Sequence, residues 1–147
     1  MNLKQGLFLS LILTLVTGCS SGTWEDDTKN WERIYNQEKP DHINVIHSWY
    51  WRSGHWSYEY EFYIETDSSK QVLESFFSNG DLIQYEDPNK VPTYSLYPDD
   101  KPKWFVPKPL DKYEVWTGTW NGKVFREYFK LFIDKETGHL YWCDSQL

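Results

Sequence analysis

Tyr58-Glu59-Tyr60-Glu61-Phe62-Tyr63-Ile64-Glu65 decides the fold. Tyr58, Tyr60, Phe62 and Ile64 fall on one side of an extended chain, and Glu59, Glu61, Tyr63 and Glu65 fall on the other. Side chains alternate across a strand, so a period of two predicts a strand and not a helix. Aromatic and branched residues on one side predict contact with a core. Three carboxylates on the other predict contact with water, as expected of an antiparallel sheet.

The neighbouring segments extend this reading. Ile43 to Trp51 is rich in β-branched and aromatic residues and predicts a second strand, separated from the first by a Ser53-Gly54 turn. Downstream, Ser69 to Asn79 predicts a helix. Val72, Leu73, Phe76 and Phe77 form its apolar stripe, Ser68 and Gln71 have capping-box spacing, and Asn79-Gly80 supplies a left-handed stop. A shorter helix is expected over Asp27 to Gln37, with Trp31, Ile34 and Tyr35 on one face, Asp27 as its cap and Pro40 beyond its end. Leu82 to Tyr85 is a candidate short strand. From Pro88 to Pro109 six prolines exclude regular structure, and a connection of that length is more often functional than incidental.

The last third reads as a meander. Asn121-Gly122 between strand-like runs is a hairpin signal that pairs Trp120 with Lys123 and Thr117 with Arg126. Asp134 to Gly138 makes the next turn. With Asp134 opposite His139, the residues Phe129, Leu131, Ile133, Leu140 and Trp142 share one face. A shift of one residue exchanges Trp142 for Tyr141 and buries less apolar surface, so the first register is expected. The helix stripe must cover something, and a sheet face is the natural partner. The expected class is therefore α+β: two layers, an antiparallel sheet of about five strands with a helix on one face, in the order α-β-β-α-long Pro-rich loop-β-β-β.

The amino end carries a different message. Lys4 precedes an apolar run from Leu7 to Val16, which is too short for a spanning helix and has the proportions of a secretory leader. Val16-Thr17-Gly18-Cys19 resembles the lipobox of bacterial lipoproteins. That resemblance covers only the first 19 residues. It implies cleavage before Cys19, a diacylglyceryl group on the Cys19 thiol and an acyl group such as palmitate on its amine. Ser20 in the next position, with no Asp, is similar to the pattern sent to the outer membrane. The implied organisation is a signal peptide over 1–18, a lipidated Cys19 and tether over 19–25, and one globular domain over 26–147, lipid-anchored in the bacterial envelope and facing the periplasm.

Lys4 is the leader's single charged residue, so 14 cationic and 22 acidic side chains remain beyond it, a net charge of about −8. An acidic domain repels nucleic acid and favours a basic partner. Only two cysteines occur. If Cys19 carries lipid, Cys143 has no partner within the chain; it lies in the apolar run Leu140-Tyr141-Trp142-Cys143, where a buried, inert thiol is expected.

Aromatics make up 19% of the chain. Two clusters attract a functional reading, because such side chains are enriched in binding hot spots and sugar platforms. One holds Trp49, Trp51, Arg52 and Trp56. Trp49 and Trp51 must face away from Tyr50, so one set is exposed or is covered by the proline loop or the amino-terminal helix. The other holds Trp104 and Phe105 between prolines, either presented rigidly to a partner or pegging the loop to the sheet. The four histidines have no metal-ligand spacing, and Glu59, Glu61 and Glu65 have the spacing of an ordinary solvated strand face. No nucleophile elbow, P-loop or dinucleotide fingerprint occurs. The chain is expected to use no cofactor or metal and to catalyse no reaction. The expected function is that of a binding lipoprotein, similar in general type to small envelope immunity or inhibitor lipoproteins, whose partner would be a basic protein such as a toxin. Two alternatives stay open: an outer-membrane assembly lipoprotein, and a carbohydrate- or peptidoglycan-binding module.

Overall fold

The computed structural model describes residues 21–54, 59–77, 81–87, 90, 101–105, 107, 109–120, 123–124 and 128–146. Its strands are β1 (Gly22–Glu25), β2 (Val45–Arg52), β3 (Tyr60–Thr66), β4 (Leu82–Gln84), β5 (Tyr113–Trp120), β6 (Lys123–Val124), β7 (Lys130–Asp134) and β8 (Leu140–Gln146). Two helices, α1 (Asn30–Tyr35) and α2 (Ser69–Phe76), and a 3-10 turn over Leu110–Lys112 complete the elements. Seven strands form an open antiparallel sheet in the order β1-β2-β3-β8-β7-β5-β4, and the two-residue β6 pairs with β5. The sheet is wider than the five strands expected. Gly22–Glu25, assigned in advance to a tether, pairs with β2 as an edge strand, so any tether is shorter than 19–25.

The expected hairpin register holds: Ile133 opposes Leu140, Leu131 opposes Trp142, and the Asp134 amide donates to the His139 carbonyl at 2.9 Å. Asp134 Oδ1 accepts from the amides of Glu136 and Thr137, and Gly138 takes the positive φ that closes this turn. Trp120 opposes Lys123 as expected, while the hairpin tip and Arg126 lie outside the described residues. The helices are shorter than expected. Asn36, in left-handed geometry, ends α1 and donates its amide to the Glu32 carbonyl. The capping box does not form, for the Ser68 side chain makes no cap bond. Asn79-Gly80 lies outside the described residues.

One core cluster gathers Tyr50, Phe62, Ile64, Leu131, Leu140 and Trp142 from the sheet with Trp31 and Val72 from the helices. The Tyr35 ring lies 6.0 Å from Phe62 and 5.2 Å from Trp142, and Phe76 lies 6.2 Å from Trp142. A second cluster lies on the opposite sheet face: Tyr63, Tyr113, Val115, Phe132 and Cys143, with Phe105 from the chain segment before β5. The supposedly solvated side of β3 is therefore covered. Glu61 is 7% exposed and Glu65 8%, and Phe105 packs on Tyr63 on the same face. Alternation correctly separated the two faces, but both are covered by buried clusters.

Candidate functional site

Asn30 organises the amino-terminal corner. It is fully buried, and its amide nitrogen donates to the Trp24 carbonyl (3.0 Å) and to Ser48 Oγ (3.1 Å), linking β1, α1 and β2. Asn30 Oδ1 accepts from Arg33 Nη1 at 2.8 Å, Asp27 Oδ2 pairs with Arg33 Nη2 at 3.1 Å, and the guanidinium lies 4.6 Å from the Trp24 ring centre. Three partners thus hold Arg33 in one place, and its ion pair with Asp27 keeps that carboxyl below the usual range.

Arg33 stands beside a cleft of about 250 Å³ between α1 and strands β2, β3 and β8. Tyr35, Tyr50, Tyr60, Phe62 and Trp142 supply its aromatic walls. Asp144, 2% exposed, supplies a carboxylate that accepts from Tyr60 Oη at 3.1 Å. Tyr35 Oη and Trp142 Nε1 are buried, and neither has a hydrogen-bond partner. Burial, with the Asp144 charge in support, pushes the Tyr35 phenol well above its ordinary pKa. It therefore stays protonated and can act as a donor throughout the physiological range. Buried polar groups are ordinarily paired, and the Nε1 atoms of Trp31, Trp104 and Trp116 are unpaired in the same way. A mostly aromatic concavity with a few convergent polar groups is the usual form of a small-ligand site.

A smaller cavity, about 180 Å³, is lined by Asp26, Asp27 and Lys39 among others. Its charged groups are engaged, while Trp31 Nε1, from another of its lining residues, is buried and unpaired. Asp26 binds His47 and the Ser48 amide, Asp27 binds Arg33 and the Lys29 amide, and Lys39 Nζ donates to the Ile43 carbonyl at 2.6 Å. On the opposite sheet face His139 Nδ1 lies 3.1 Å from Glu65 Oε1. Burial, reinforced by Glu65, pushes the neighbouring Tyr141 phenol far up. Among the described residues no three His, Cys, Asp or Glu side chains gather as a metal site, and no helix is long and apolar enough to cross a membrane.

Of the residues named from sequence as partner-binding, the five that are described do not form one exposed surface. Phe105 is 0% exposed and packs 4.7 Å from the Tyr63 ring, so its assignment to a partner surface is overturned. Trp104 is half-buried, stacked on His47 at 5.2 Å, and Trp49 sits edge-on to Tyr63 at 5.6 Å. These aromatics peg the proline-rich segment to the sheet. Trp51 is partly exposed and Arg52 exposed at the end of β2, while Trp56 and Cys19 lie outside the described residues. Cys143 is a buried free thiol, pushed far up in pKa by burial.

Sequence reasoning missed the cleft because its members come from four distant segments. One signal was available: Asp144 stands two residues after Trp142, placing a charge on the core side of β8. No protein-family model, curated protein or solved structure matches the chain.

Proposed function

We propose that this chain is an envelope-tethered recognition lipoprotein, anchored through an acylated Cys19 and binding a small ligand in the aromatic cleft. The observation that carries the recognition half is the cleft itself, walled by Tyr35, Tyr50, Tyr60, Phe62 and Trp142 with Arg33 beside it. The anchoring half rests on Val16-Thr17-Gly18-Cys19. The layered reading of the domain, with α1 and α2 over the Phe62 side of the sheet, belongs to the same proposal, since a helix laid over a sheet leaves a cleft at its margin. Among the described residues Cys143 is buried and its thiol is pushed up in pKa by burial, which disfavours the nucleophilic thiolate.

Cys19→Ala tests the anchor. The expected result is release of the protein into the soluble periplasmic fraction with an unchanged melting temperature; continued retention of the variant in washed membranes would refute lipid anchoring. A second reading, capture of a basic protein partner, is favoured by the net charge of −7 and by Trp51 and Arg52 at the open end of β2. Trp51→Ala distinguishes it, for this change should weaken protein capture and leave the cleft ligand's affinity unaltered.

A further inference from the structure

We propose that the lipid anchor seats the β1–β2 corner of the sheet on the bilayer headgroup layer, with Trp51 as the interfacial contact, an inference that rests on the anchoring reading of Cys19. Only Ser20 and Ser21 separate Cys19 from Gly22, the first residue of β1. Three extended steps span at most about 11 Å, and the headgroup layer is itself about 5–7 Å deep. The strand therefore starts at the membrane surface. It is also fixed in the sheet and does not lengthen the link. All four residues of β1 pair with β2, and a Cβ on Gly22 would come 2.6 Å from the Trp24 ring, which stacks on Tyr50. The same pairing sets Gly22 against Arg52 and Thr23 against Trp51. Neighbouring strands lie about 4.8 Å apart, so Trp51 and Arg52 share the anchor's end of the domain. Trp51 is partly exposed and Arg52 exposed. An indole has an apolar body and a polar N–H, which suits the boundary between headgroups and acyl chains. A guanidinium brings five donors to a layer of lipid phosphates. Charge is sorted along β1 in the matching sense. The exposed acids Glu25 and Asp26 stand at and beyond the far end of the strand, whereas at the near end Glu59 is half-buried and Glu61 buried. A protein partner at this corner would have to displace the bilayer to which the short link confines it.

The test is fluorine NMR on the full lipidated chain, labelled with 5-fluorotryptophan, in phosphatidylcholine nanodiscs that carry a gadolinium-chelating headgroup lipid. Trp51→Phe and Trp116→Phe assign the two resonances that matter. Trp116 lies on β5, four strands from β2, which is roughly 20 Å across the sheet. Paramagnetic relaxation falls steeply with distance, so over that separation Trp51 is expected to relax roughly tenfold faster than Trp116. In plain discs, a soluble gadolinium chelate should relax Trp51 more slowly than it does in the soluble Cys19→Ala chain, and Trp116 equally in both. Equal relaxation of the two residues by the headgroup lipid, or faster relaxation of Trp116, in discs that hold the chain would overturn the seating and leave the corner open to a protein. A Trp51 that the headgroup lipid relaxes, yet that is as open to the soluble chelate as in Cys19→Ala, would overturn the contact. A chain that fails to enter the discs would overturn the anchoring and the seating together.

Discussion

Tyr35 shows how a single atom can work against the packing of its own ring. Its ring packs among Trp31, Phe62, Phe76 and Trp142, while its hydroxyl is buried with no partner. A buried, unpaired donor costs about 1–3 kcal/mol. Tyr35→Phe is therefore expected to raise unfolding stability by about 1 kcal/mol, measured by urea denaturation. A loss of stability would mean that the hydroxyl is satisfied in solution. Cys143 makes a complementary case. Its thiol is buried in the second cluster and burial disfavours the thiolate, which is the reactive form. In the mature chain, iodoacetamide should leave Cys143 unmodified under native conditions and alkylate it in denaturant, as intact-mass spectrometry can show. Rapid native labelling would contradict the burial. The inert thiol was legible from Leu140-Tyr141-Trp142-Cys143, because an apolar run around a cysteine predicts burial. The orphaned Tyr35 hydroxyl was not, since a phenol's partners come from other segments.

At the scale of elements, the segment before β5 holds more of the fold than its irregular backbone suggests. Phe105 inserts between Tyr63, Phe132 and Tyr141, with ring centres 4.7, 6.0 and 6.1 Å away, and Trp104 stacks on His47 above β2. Phe105→Ala should destabilise the domain by about 3–5 kcal/mol, as for a fully buried ring, whereas Trp104→Ala, half-exposed, should cost less. Equal and small losses would mean that the segment merely rests on the sheet. The 134–138 turn adds a pH-dependent contribution. The amides of Thr137 and Glu136 donate to Asp134 and hold its carboxyl below the ordinary value of about 4. A lowered folded pKa means that this contribution is fully present above pH 4 and fades as the pH falls through the folded value. The stability gap between the wild type and Asp134→Asn should thus stay constant from pH 7 to 5 and close below about pH 4. A gap that persists undiminished at pH 2 would show that the carboxylate charge is irrelevant. Both features lie partly in view of the sequence. The turn follows from Asp134 and Gly138 themselves, but nothing local says which sheet face Phe105 will reach.

Across the whole molecule, local pattern settled what each segment is, and long-range packing settled what each surface does. The alternation of β3, the 134–138 turn and the register pairing Leu131 with Trp142 follow from side-chain periodicity and turn chemistry, which act over a few residues. The lipobox is likewise a local signal. The width of the sheet was not accessible in this way, since Gly22–Glu25 becomes a strand only by pairing with β2 and through the bonds of Asn30 to Trp24 and Ser48. The fate of Glu61 and Glu65 was hidden for the same reason. Their alternation is that of a wet face, yet both are buried on a face where Phe105, some forty residues away, packs on Tyr63. That same packing drew Phe105 into the core and formed a cleft between α1, β2, β3 and β8. Periodicity reports how a strand divides its side chains between two faces. Whether a face meets water, a loop or a ligand depends on contacts between distant segments, which only tertiary packing decides.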